Sequence, residues 1–155
     1  MRASLTTPPK IFISSSHDSA EHRRWVAELA SALVEHGIDL TLDQWDLRLG
    51  EDVAKFMERS ILRADRVLMI CTASYVAKAH PGSGGAGYEA MIVTGQMLSD
   101  LGTTTFIPVV RQAGNAIQPR FLSTRFYIDL GSPNLFKEHV EQSAARIAWR
   151  TLAAT

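Results

Sequence analysis

The sequence predicts an α/β domain, a parallel β-sheet covered by helices on both faces. Three observations lead there. Short apolar, β-branched runs alternate along the chain with segments of helical periodicity. Two of those runs, Ile11-Phe12-Ile13 and Val67-Leu68-Met69-Ile70-Cys71, are apolar at consecutive positions, as suits strands buried on both faces. The length of 155 residues, with 46% hydrophobic and 21% charged, fits one domain with one sizeable core.

Residues 1–10 read as a polar arm ended by Pro8 and Pro9. Ile11-Phe12-Ile13 is the first strand, and Ser14-Ser15-Ser16-His17-Asp18 the loop that leaves it. Asp18 followed by Glu21 resembles a capping box, with Asp18 as N-cap. Trp25, Leu29 and Leu33 fall at i, i+4 and i+8, with Val26 and Ala30 beside them, so one stripe of the first helix is apolar. Gly37 suits the C′ position. Ile38–Leu42 is the second strand and Asp43–Gly50 a connecting loop. Val53, Phe56, Met57 and Ile61 mark a helix, and Arg66–Cys71 the third strand. His80–Gly87 is a glycine-rich loop, and Tyr88–Leu98 has helical propensity. Phe106–Val110 is a fourth strand, whose Pro108 suits an edge or an irregular position. Arg111–Arg120 reads mostly as loop and Phe126-Tyr127-Ile128 as a fifth strand. Ser132-Pro133 starts a last helix, with Leu135, Val140, Ala144 and Ile147-Ala148 on one side. The domain is expected to span 11–150, with 151–155 a short tail.

Composition narrows the function classes. Lys+Arg and Asp+Glu both number 16, so no bulk positive field draws the chain to nucleic acid or an anionic membrane. Near-zero net charge also removes the long-range repulsion that opposes self-association. Cys71 is the one cysteine, which excludes an intrachain disulfide and a multi-cysteine zinc cluster. No apolar run approaches the ~20 residues that span a bilayer, and the first ten residues lack a signal-peptide core. A reducing, cytoplasmic location is the default expectation.

In a parallel α/β sheet, ligands bind beyond the carboxyl ends of the strands. Three polar segments project there: Ser14–Asp18, Asp43–Gly50 and Gly82–Glu89. Glu89 follows the glycines and enters an apolar helical run. Either it stabilises a helix N-terminus, or it faces the cleft and holds a ribose hydroxyl or a developing cation. Asp43 is a candidate second carboxylate. Trp45, in a polar setting, either stacks on a ring or a partner, or folds back over Phe56. The glycine loop has neither the dinucleotide-binding nor the phosphate-loop spacing. It reads as a mobile surface loop, or as a segment that lets a nucleotide approach the backbone. The five histidines show no metal spacing. His17 is placed to touch a ligand; His22, His36, His80 and His139 read as surface or helix-end residues. Cys71 reads as a packed thiol. A nucleophile among Ser14, Ser15 and Ser16 would lack the G-x-S-x-G elbow. Those hydroxyls suit substrate binding or helix capping.

Four segments together carry a resemblance. Ile11–Asp18 resembles the first box of TIR domains and the related SEFIR domains. Leu42–Leu47 through Gly50 resembles the segment entering their BB loop. Val67–Thr72 with Tyr75 resembles the third-strand box, and Gly85-Ala86-Gly87-Tyr88-Glu89 the segment bearing the glutamate of NAD-cleaving TIR domains. The chain differs from that pattern in having Ala86-Gly87-Tyr88 before the glutamate and Ser15 where an aromatic is common. The resemblance implies a flavodoxin-like three-layer sandwich with a five-stranded parallel sheet. It implies cleavage of the nicotinamide–ribose bond of NAD+ as substrate, with no metal or other cofactor, in bacterial anti-phage defence. Glu89 would be catalytic, and Ser14, His17, Asp43, Trp45 and Tyr88 would line or border the substrate cleft. Arg48, Leu49 and Gly50 would form an interface in the BB loop, completing head-to-tail assemblies driven by a fused or partner sensor. The alternative is a non-enzymatic adaptor, in which Glu89 caps its helix and Trp45 with Arg48 forms a binding surface.

Overall fold

In the computed structural model the described residues are 8–17, 19–79, 93, 105–111, 127–131 and 136–154. They form strands β1 (Lys10–Ser14), β2 (Asp39–Thr41), β3 (Arg66–Cys71), β4 (Phe106–Val110) and β5 (Ile128–Asp129). The helices are α1 (Ala20–Glu35), α2 (Asp43–Asp46), α3 (Val53–Arg63), α4 (Ala73–Ala79) and α5 (Phe136–Ala154). The sheet order is β2-β1-β3-β4-β5, and every pairing is parallel. Phe12 lies opposite Thr41 on one side and Val67 on the other, and Cys71 lies opposite Val110.

The alternation of strand side chains builds two cores, one per face. Ile11, Ile13, Leu68, Ile70 and Val109 meet Val26, Leu29 and Leu33 of α1 and Val140, Ala144 and Ile147 of α5. Phe12, Val67, Met69, Cys71 and Phe106 meet Phe56, Met57 and Ile61 of α3. The result is the three-layer α/β sandwich expected, and it explains why β1 and β3 are apolar at successive positions.

Helix ends refine the sequence reading. The N-cap of α1 is Ser19, not Asp18: Ser19 is extended and its Oγ accepts from His22 N at 3.0 Å. The hydroxyl must sit three residues before the N–H that it satisfies, and the helix begins at Ala20. At the other end Gly37 occupies C′ with φ +85°. Gly37 N donates to Val34 O and Ile38 N to Leu33 O, the paired bonds of a Schellman motif. Asp52 caps α3 through Lys55 N at 3.0 Å.

Three further expectations are corrected. The segment after β2 is not loop throughout, because Asp43–Asp46 forms one helical turn. Asp46 Oδ2 accepts from Leu42 N at 2.8 Å and holds the turn's entry. Strand β4 is internal despite Pro108. Val67 N donates to Thr105 O, and Val110 O accepts from Leu130 N, so alternation turns the Pro108 nitrogen toward β5. Strand β5 begins only opposite Val109, so no ladder donor is lost. The fifth strand is Ile128–Asp129 rather than 126–128. The expected glycine loop, the helix over Tyr88–Leu98 and the Ser132-Pro133 helix start lie outside the described residues.

Candidate functional site

Chain connectivity places the site. From β1 the chain crosses to β2 on one side of the sheet, and β3 then takes the other side of β1. The carboxyl ends of β1 and β3 therefore open a crevice. Ser14, Ser15 and Ser16 leave β1 and are all buried, and Thr72 leaves β3 and is buried too. Ser16 Oγ lies 3.4 Å from Thr72 Oγ1, which also accepts from Tyr75 N at 3.2 Å. Ser14 Oγ and Tyr75 Oη share a 2.9 Å hydrogen bond, and Tyr75 Oη accepts from Val93 N at 3.1 Å. The two strand ends are thus stitched by hydroxyls.

Asp43 is brought to the same edge as the first residue of α2. Its side chain is 4% exposed, while that of His17 is 44% exposed. His17 Nε2 donates to Asp43 Oδ2 at 2.6 Å. The other carboxylate oxygen, Oδ1, is buried without a hydrogen-bond partner among the described residues. A buried carboxylate oxygen in that state is an acceptor facing no donor of the fold. Trp45, two residues further along α2, is 47% exposed.

The stretch after α2 is a clamped turn. Glu51 N donates to Arg48 O at 3.0 Å, and Gly50 sits at φ +85° in the position where a type II turn demands it. Glu51 accepts from Arg48 N and from Arg59 Nη2 at 2.9 and 2.7 Å. The Arg59 guanidinium, then the Arg48 N–H, hold the Glu51 carboxyl below its ordinary pKa. Leu49 at the tip is fully exposed.

A cleft of about 300 Å³ opens beside the serines, lined by Ser19, Glu21, His22, Thr72, Ser74 and Arg111 among others. Arg111 follows β4 directly. It donates through Nη1 to His22 Nδ1 at 2.7 Å and through Nη2 to Glu21. Its guanidinium carbon lies 4.8 Å from the centre of the Trp25 ring, which stacks on His22 and meets Phe136 edge-on.

Of the sequence-predicted residues, His17 and Asp43 meet directly and Ser14 lies buried on the same edge. Trp45, Arg48, Leu49 and Gly50 follow on α2 and its turn. Glu89 and Tyr88 lie outside the described residues. His22 is buried at 2% exposure, not a surface residue, and His139 is half-buried within α5. Arg111, Glu21 and Thr72 were not singled out as site residues by the sequence. Their only signal was adjacency to a strand end or helix start. Cys71 is a packed thiol, and burial pushes its pKa up to about 12. No described helix is long and apolar enough to cross a membrane.

A family model described as TIR domain matches residues 11–145. The chain belongs to the TIR domain family. Its structure is similar to that of a prokaryotic SEFIR domain, with a TM-score of 0.78, 34% identity, and 91% of this chain and 92% of that one covered. It is also similar to the TIR domain of the Toll-related receptor TRR-2 from the lower metazoan Hydra magnipapillata. There the TM-score is 0.56 over 93% and 94% of the two chains, and the 17% identity makes this a likeness of fold alone. No curated protein matches. The flavodoxin-like arrangement and the TIR/SEFIR resemblance read from the four boxes are both upheld.

Proposed function

We propose that this TIR domain is an NAD+ glycohydrolase, in which Glu89 assists departure of nicotinamide and self-assembly completes the cleft. The observation that carries the reading is the buried Asp43 carboxylate. One oxygen is held by His17, and the other faces no donor among the described residues, at the crevice where α/β sheets take their ligands. A ribose or carboxamide group has the donors such an oxygen lacks. The buried hydroxyls of Ser16 and Thr72 add a polar floor. The cleft of about 300 Å³ is lined by Thr72 but not by Asp43 or His17, and in this reading it lies beside them on the same sheet edge.

In this reading Glu89 hydrogen-bonds the nicotinamide ribose and stabilises the positive charge that grows at the anomeric carbon as the C–N bond breaks. Water then adds to that carbon and loses a proton, giving ADP-ribose, nicotinamide and H+; attack by the adenine of the same molecule would give a cyclic product instead. A fused or partner sensor would drive assembly, and depletion of NAD+ in anti-phage defence is the setting the family likeness suggests. The test is nicotinamide release from NAD+ by concentrated or artificially clustered protein. Glu89→Gln is expected to abolish it with the circular dichroism unchanged. Full activity in that variant would refute the catalytic role.

Exposure of Leu49 and Trp45 favours a second reading, an adaptor that uses α2 and its turn to bind another copy or a partner. TIR domains mediate self-association and protein interactions. Clustered wild-type protein that binds its own copies yet releases no nicotinamide would decide for the adaptor.

A further inference from the structure

We propose that the cleft at the carboxyl edge of β3 and β4 is a phosphate-binding site, with Arg111 its cation and Glu21 an internal anion that the phosphate displaces. Under the NAD+-cleaving reading, on which this identification of the ligand rests, the phosphate belongs to the dinucleotide's diphosphate.

The arrangement of partners is asymmetric. The Arg111 side chain is 22% exposed and that of Glu21 is 65% exposed. The guanidinium lies over the Trp25 ring on one side and donates to His22 Nδ1 on another. A nitrogen that accepts from arginine carries no proton, so this histidine adds no positive charge. Arg111 is therefore fixed by groups that stay in place, whereas its counter-ion stands in water. An exposed ion pair is worth little, and a carboxylate in that position is readily exchanged. A diphosphate offers more: two negative charges against the one of Glu21, and further acceptor oxygens beyond the pair that meets the guanidinium fork.

The rest of the cleft suits the same ligand. Ser19, Thr72 and Ser74 bring hydroxyls to its wall, and Glu21 is the one acid among its described lining residues. The cleft also borders the start of α1, a 16-residue helix whose amino end carries partial positive charge. Displacing Glu21 leaves Arg111 as the charged side chain among the described lining residues.

The test is calorimetric titration of the full chain with inorganic pyrophosphate, with ADP-ribose and with adenosine. Arg111→Gln is expected to weaken pyrophosphate and ADP-ribose roughly tenfold or more, and to leave adenosine unchanged. Arg111→Lys, which keeps the charge and loses the fork, should fall between. Glu21→Gln is expected to tighten both phosphate ligands severalfold, a gain that misfolding cannot produce. Equal pyrophosphate affinity in wild type and Arg111→Gln overturns the proposal, as does absence of binding in both wild type and Glu21→Gln. The hydrolase reading fails separately. Phosphate binding of the expected kind with no nicotinamide release removes the reaction and keeps this site. Nicotinamide release with binding indifferent to Arg111 and Glu21 does the reverse.

Discussion

The phenolic oxygen of Tyr75 joins three stretches of chain: its own helix α4, Ser14 at the end of β1, and Val93, four positions past Glu89 in sequence. Tyr75→Phe leaves the buried Val93 N–H without its acceptor, an expected loss of about 1–3 kcal/mol. The urea midpoint should fall at unchanged m-value; an unchanged midpoint would refute the role. Burial also raises the pKa of Tyr75 from 10.0 and that of Cys71 from 9.0 to about 12. Above pH 9 the unfolded chain loses the thiol proton while the folded chain keeps it. Stability therefore falls as pH rises, from about pH 9 for the thiol and about pH 10 for the phenol, each contributing at most ~1.4 kcal/mol per pH unit. Cys71→Ala should flatten the first part of that decline, read from urea titrations between pH 8 and 11. At this scale the sequence was legible for residues defined by burial. Cys71 as a packed thiol and the strand residues are read from apolar neighbours. The partner of Tyr75 was not legible, since 61 residues separate it from Ser14.

Elements were legible wherever a period ran long enough. Helices α1 and α3 are two faces of one rule, and Val26, Leu29 and Leu33 or Phe56, Met57 and Ile61 give them away. The four-residue α2 has no such stripe and is held by a side-chain bond, so nothing in its pattern separates it from loop. Asp18 and Ser19 are adjacent cap-forming residues, and only geometry chooses between them. The glycines at 37 and 50 are different in kind, since each sits at φ +85° where an added Cβ meets nothing within 4 Å. Substitution by alanine is then a purely backbone matter, expected to cost about 1 kcal/mol at either position. Thermal melts of Gly37→Ala and Gly50→Ala would read it. Gly50→Ala should additionally disturb the Arg48–Glu51 turn, seen as altered amide shifts confined to that segment.

The whole-molecule arrangement follows from alternation of strands and helices, which is why the sheet and its ligand-bearing edge could be anticipated. What alternation could not disclose is which side chains converge across it. Arg111 meets Glu21 and His22 from about 90 residues away, and its only mark in the sequence is its place after β4. Leu49 is fully exposed at the tip of the turn after α2, and the proposed function assigns it to assembly. Leu49→Asp should abolish concentration-dependent self-association in sedimentation and leave the melting temperature unchanged. The sheet itself sets a limit on how copies can join. Among the described residues its border strands are β2, of three residues, and β5, of two. Borders that short offer little template for backbone pairing with a neighbour. Any filament of this domain would therefore be held by side chains on helices and turns. It should dissolve on dilution or in salt, take up no amyloid dye, and give no 4.7 Å fibre reflection along its axis.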